Sequence, residues 1–185
     1  MAGRSAARAA AWHRGGVPEP TPRTARDRDP AGRARNARPR DATGRPLPRG
    51  ATGVERVPDD LVLDPDDTVV EAQRLLDADL PFHAHEVLEA AWKAAPPGER
   101  ELWRGLAQVA VGLTHLQRGN GRGAVALLRR GVATVMHWRV GSAGPPPAGL
   151  HLDGLVRHAE VLADRVEQSG PAAADPSDLR PRLRP

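Results

Sequence analysis

Between Glu99 and Arg118, Leu102, Leu106, Val109, Leu113 and Leu116 recur at steps of three and four, with Trp103, Ala107 and Ala110 beside them. That spacing belongs to an α-helix, and an apolar face so broad must be covered on more than one side. The rest of the chain has to supply the cover. Asp64-Pro65-Asp66-Asp67-Thr68 is a helix start, with a capping Asp and early acids that suit the positive end of the helix dipole. It opens a helix carrying Val69, Ala72, Leu75 and Leu76 on one stripe, closed by Asp79-Leu80-Pro81. A second helix runs from Pro81 or Phe82 to Ala94, since proline is tolerated in a first turn. Pro96-Pro97-Gly98 and Gly119-Asn120-Gly121 are breaks on either side of the central helix. A fourth helix spans Arg122 to Val140, with Val125, Leu128, Val132, Val135 and Met136 inward. A fifth spans Leu150 to Gln168, with Leu152, Leu155, Ala159, Leu162 and Val166 inward.

No segment shows the sustained alternation of a half-buried strand, so the expected fold is all-α: about five helices in a compact antiparallel bundle. ADLPFHAHEVLEAAW and RGNGRGAVALLRRGV each read as a turn followed by an amphipathic helix, about 39 residues apart, a period that suits tetratricopeptide-like helical hairpins. The helical domain is expected over 59–169. Residues 1–58 are rich in Arg, Pro and Gly with almost no aliphatic periodicity. They read as a disordered arm, because such a segment buries too little apolar area to offset its ordering entropy. The Pro-rich tail 170–185 reads as flexible.

Charge follows the same division. Residues 1–58 hold 13 Arg against five acidic residues, net +8, and residues 59–185 hold 14 basic against 18 acidic, net −4. Weak polyanion binding therefore belongs to the arm, although interleaved acids and missing aromatics argue against a dedicated nucleic-acid surface. The absence of Cys removes disulfides and thiolate metal sites and fits a cytoplasmic protein. No apolar run approaches the roughly 18 residues of a membrane span, so no membrane association is expected. The first residues, with a short apolar run broken by Arg8, do not read as a signal peptide.

The only cluster of His, Glu and Gln at helical spacing lies on the second and third helices. His85 and Glu89 are one turn apart, with Glu86 adjacent, and Gln108 and His115 share a face two turns apart. Gly105 and Gly112 fall on that second stripe, where each costs about 1 kcal/mol against Ala unless a neighbouring backbone comes close. Antiparallel packing would set His85 near His115 and Glu89 nearer Gln108. The expectation is a buried polar seam of His85, Glu86, Glu89, Gln108 and His115 that fixes helix register. A divalent metal held by His85, Glu89 and His115 is the competing arrangement, its mixed imidazole and carboxylate set suiting zinc, iron or manganese. General acid–base work by Glu89 with His85 is another. No phosphate loop, nucleophile elbow or complete catalytic set is present, so no cofactor is assigned and the catalytic residues stay unknown. The reading leans from enzyme toward an interaction module with an unidentified protein partner. His83, one residue from His85, is expected on the surface. Trp92 and Trp103 are expected to pack, and His137-Trp138-Arg139 to pack rather than form an aromatic patch.

Phe82, His85-Glu86-Val87-Leu88-Glu89, Trp92, Gly105-Leu106, Gln108, Ala110, His115, Arg118-Gly119-Asn120 and Gly123-Ala124 together resemble the domain of unknown function 309 family. The resemblance implies a small all-helical domain. It implies no reaction, because none is assigned to the family. The segment RDRDPAGRARNARPRDATGRPLPRG resembles the N-terminal extension of actinobacterial members.

Overall fold

Asp64 starts the first helix as its sequence requires: its carboxylate accepts the Asp67 N–H at 2.8 Å, and Pro65 occupies the first helical position. The computed structural model describes residues 38–54, 57–58 and 61–185. Among them are five α-helices and no strand: α1 Pro65–Asp77, α2 Pro81–Ala94, α3 Arg100–Gln117, α4 Gly121–Gly141 and α5 Leu152–Ser169. Each helix packs on the next through a short connection, giving an all-α antiparallel bundle. No helix among the described residues is long and apolar enough to cross a membrane.

The third helix is central, as its broad apolar face demands. Leu102, Trp103, Leu106, Val109 and Leu113 are buried between α2 and α4, and Leu76, Leu88, Leu128 and Leu162 close on them from the other helices. Each such Leu contributes about 1.5–3 kcal/mol by leaving water. The Trp103 indole donates to Glu99 at 3.2 Å and the Trp138 indole to the Gly98 carbonyl at 2.6 Å, so both rings bury their bodies without orphaning their N–H groups. His137 beside Trp138 is exposed, and Met136, expected inward, is 39% exposed.

The two interior glycines of α3 do permit a close approach, but toward α4 and not toward α2. A Cβ on Gly105 would lie 2.7 Å from a Val135 methyl and 3.0 Å from the Gly131 carbonyl. One on Gly112 would lie 2.9 Å from Leu128 Cγ, and one on Gly131 would lie 2.9 Å from the Gly105 carbonyl. Gly105 and Gly131 thus face each other, backbone against backbone.

Both flanks of the bundle differ from expectation. Residues 1–37 lie outside the described residues, as do 55–56 and 59–60, but 38–54 fold against the bundle within one compact unit, Arg38–Pro185. Asp41 builds the turn: one carboxylate oxygen accepts the Thr43 and Arg45 backbone N–H groups, each at 2.9 Å, and the Thr43 hydroxyl at 2.8 Å. These bonds outweigh the cost of partial burial and hold the Asp41 carboxyl below its usual range. Gly44, at φ +76°, then lays its backbone on the Phe82 ring, where a Cβ would fall 2.1 Å from ring carbon. Arg118 from the end of α3 donates through Nε and an Nη to the Thr43 carbonyl, at 2.9 and 2.5 Å.

At the other end, residues 170–185 return across α5 and α1. Leu183 is 3% exposed, its N–H donates to Gln73 Oε1 at 2.8 Å and its carbonyl accepts the His151 N–H at 2.8 Å. Arg180 pairs with Asp79, and Arg184 with Asp66. Asp175-Pro176-Ser177-Asp178 closes a capping box, and Asp178 also binds Arg165 at 2.7 Å. The tail is held because one apolar side chain and several charges find partners that composition could not reveal.

Candidate functional site

Pro81 at the first position of α2, with Leu80 before it, sets the register of the whole HEVLE turn. His85 and Glu89, one turn apart, meet at 3.3 Å between Nε2 and Oε2, and Glu89 passes the contact on to Lys93 at 2.8 Å. The His85 side chain is 21% exposed and its Nδ1 is buried without a hydrogen-bond partner. Burial pushes the His85 imidazole below its ordinary range, with Lys93 acting the same way and Glu89 and the Phe82 carbonyl opposing. A neutral imidazole with one nitrogen on a carboxylate can take part in proton transfer. Glu86 lies half-buried on the same turn.

The other two members of the expected seam face elsewhere. Gln108 Oε1 accepts the Thr134 hydroxyl of α4 at 3.0 Å. His115 Nδ1 lies 2.8 Å from Asn120 Nδ2, while Asn120 Oδ1 caps α4 by accepting the Gly123 N–H at 3.0 Å. With Asn120 donating, His115 Nδ1 is an acceptor and its proton sits on Nε2. His115 therefore braces the α3–α4 turn and packs against the Gly123 backbone. The antiparallel placement of α2 and α3 is as expected, but the residues of α3 that reach the start of α2 are Gln117, whose amide donates to the Asp79 carbonyl at 2.8 Å, and Arg118. The five residues of the seam are consequently divided between α2 and the α3–α4 side. The trio His85, Glu89 and His115 is not assembled. Among the described residues no three His, Asp or Glu side chains are arranged to hold a metal ion.

His83 is a correction. Alternation with His85 suggested the surface, yet it is 1% exposed and its Nδ1 has no hydrogen-bond partner. The folded segment 38–54 is the cause: burial first, then the Arg40 charge, press the His83 imidazole below its ordinary range, while Asp41 opposes. Phe82 meets the His83 ring edge-on at 5.4 Å and the His85 ring at 5.9 Å. Arg40 and Arg118 lie 5.0 and 5.8 Å from the Phe82 ring centre, within cation–π range. Arg40 and Arg118 had no site role in the sequence reading, and His83 was placed on the surface. The signal for them was the run Asp41-Ala42-Thr43-Gly44, a turn within the arginine-rich segment that required something to rest on.

A groove of about 480 Å³ lies beside α1, lined by Val57, Pro58, Leu61, Leu63, Val70, Leu75 and Val87 together with the charged Asp67, Glu71 and Arg74.

No solved structure matches the chain. The uncharacterized protein YpuF of Bacillus subtilis (strain 168) is 42% identical over 52 residues, 28% of this chain and 30% of that protein's length. Residues 69–127, from the first turns of α1 into α4 and so including every residue of the HEVLE turn, match the model of the family described as Domain of unknown function (DUF309).

Proposed function

We propose that the chain is a non-enzymatic, cytoplasmic interaction module whose helical hairpins act in the manner of tetratricopeptide units. The observation that carries this reading is the groove beside α1. Its volume is that of a binding cleft and its walls are mostly aliphatic, with Asp67, Glu71 and Arg74 among them. Val70 on its edge is 55% exposed, and neighbouring Val62 is 78% exposed. Asp67, which makes no ion pair among the described residues, fits a partner segment that carries aliphatic side chains next to a basic one. A photo-cross-linker placed at Val70 should give an adduct with one protein, identified by mass, that Leu61→Asp abolishes. The same group at Val140, which is 86% exposed away from the groove, should not. Equal adducts at both positions, or none at Val70, would remove the groove reading. Weak polyanion binding by residues 1–58 is a separate proposal that rests on their net charge of +8.

A second reading is favoured by the His85–Glu89 pair: an acid–base or metal-dependent enzyme centred on the HEVLE turn. Elemental analysis tests its metal-dependent form. Near-stoichiometric zinc, iron or manganese, lost in His85→Ala, supports it. Metal-free protein whose melting is unmoved by added zinc or by a chelator counts against it.

A further inference from the structure

We propose that Arg40, Arg45 and Arg118, gathered at the start of α2, form a binding site for a phosphate monoester. The proposal is independent of the groove beside α1 and of the chemistry of His85. Arg40 and Arg118 converge from different parts of the chain on one turn. The Arg40 Nη donates to the Gly44 carbonyl at 2.5 Å and Arg118 to the adjoining Thr43 carbonyl, with Phe82 within 6 Å of both guanidiniums. Arg45 follows directly in the turn. None of the three makes an ion pair with a carboxylate among the described residues. Arg129, Arg139, Arg165 and Arg180 each have one.

Charge at this spot is unbalanced. Asp41 is the one carboxylate acting on Arg118, and its Oδ1 is already occupied by the turn. Around Arg118, the Arg40 and Arg45 guanidiniums are opposed by the one Asp41 carboxylate, an excess of positive charge. Burial first, then the charge of Arg45, with Arg40 adding to it, pushes the Arg118 guanidinium below its usual range, while Asp41 opposes. The end of α2 adds to the imbalance. The residue before it, Leu80, has no capping side chain, and its first turn has no acid. Elsewhere Asp64 and Asn120 cap α1 and α4, and Glu101 and Asp153 lie in the first turns of α3 and α5. A helix start without a cap or an early acid presents partial positive charge to an anion, although Pro81 has no N–H and the His83 and Ala84 N–H groups already donate to the Leu80 carbonyl. His83, on that same turn, is buried and keeps an unpartnered Nδ1 beside Arg40 and Asp41.

The ligand class follows from charge and shape. A phosphate monoester carries about −1.5 to −2 at neutral pH, which suits a cluster of guanidiniums with an excess of positive charge. Its oxygens suit the planar donor fork of arginine. Arg40 retains Nε and its second Nη, and Arg118 its second Nη, with no protein acceptor among the described residues.

The test uses the full chain in phosphate-free buffer. Inorganic phosphate, AMP, adenosine and an oligothymidylate are titrated in parallel, with melting temperature and calorimetry as readouts. Inorganic phosphate or AMP should bind saturably and raise the melting temperature, and adenosine should not. The tighter of the two identifies free phosphate or an organic monoester as the source. Arg45→Gln, on an exposed turn position, should weaken binding about tenfold or more without changing the unliganded melting temperature, and Arg118→Gln should weaken it further. The proposal is overturned if neither phosphate nor AMP binds by about 10 mM, well beyond a millimolar dissociation constant. It is also overturned if both arginine variants bind as the parent does. Tighter binding of the oligothymidylate than of either phosphate or AMP, surviving Arg118→Gln, would assign the charge to a nucleic-acid backbone and overturn it as well.

Discussion

The two flanks outside the α-helices are both rich in arginine and proline and are held in different ways. The tail 170–185 is anchored by burial. Leu183 enters the core between α1 and α5, and the arginines around it meet acids in and just after α1, Arg184 on Asp66 and Arg180 on Asp79. The segment 38–54 inserts no comparable side chain. It rests a glycine on an aromatic ring and offers backbone carbonyls to guanidiniums that have no carboxylate. Proline and arginine content does not decide whether a segment is ordered. A matching surface does, and the chain supplies acids for one flank and only Phe82 with Arg118 for the other.

The contrast can be broken most directly at Leu183. Ending the chain at Gly170 should lower the melting temperature by roughly 10 °C, and Leu183→Ala alone should cost about 2–4 kcal/mol in chemical denaturation. If neither moves the midpoint, the tail is held by charge and not by burial. Gly44→Val comes next. It places a side chain at a left-handed backbone position, at a cost of about 1–2 kcal/mol, and drives its Cβ into Phe82. The segment should detach, with limited proteolysis between residues 38 and 54 as the readout and α1 to α5 still folded. Continued protection would mean that Arg118 alone secures it.

Acid should separate the flanks with a smaller effect. His83 and His85 both titrate below their ordinary range in the fold, so the unfolded chain binds protons first. Their contribution is complete above about pH 6.5 and is lost as pH falls from there through the folded values. Asp79, held low first by its Arg180 hydrogen bond, loses its contribution only as pH falls below the ordinary carboxylate range. Near pH 5.5 the 38–54 segment should therefore become protease-sensitive while the tail does not, and His83→Gln should flatten the decline. The smallest effect belongs to Arg180→Gln. Both partners of this pair are well exposed, and its loss should hardly move the melting temperature. A change as large as that of Leu183→Ala would merge the two modes of anchoring.

The helices themselves were legible. Asp64, Pro81, the Pro96-Pro97-Gly98 break and Gly119-Asn120 mark their ends to within two residues, since caps and breakers act locally. Periodicity also gave the inward stripes, with Met136 as the exception. It could not say which neighbour a stripe meets. The central helix has partners on two sides, and Gly105, Gln108, Gly112 and His115 share a face that turns to α4, whereas the seam required them to face α2. His85 and Glu89 do pair, because that contact needs only one helix. The burial of His83 and Leu183 depends on segments distant in sequence, and spacing within a helix carries no record of them.

The glycine contact between α3 and α4 has a consequence for how the domain opens. Where side chains interdigitate, a helix can loosen by rotamer changes and small slips. Gly105 and Gly131 leave no side chains to yield, so the two helices must separate together or stay joined. Amide protons of α3 and α4 along this contact should exchange with solvent only through whole-domain unfolding, and those of the 38–54 turn through local release. The slowest clock in the molecule would then be set by residues that have no side chain at all.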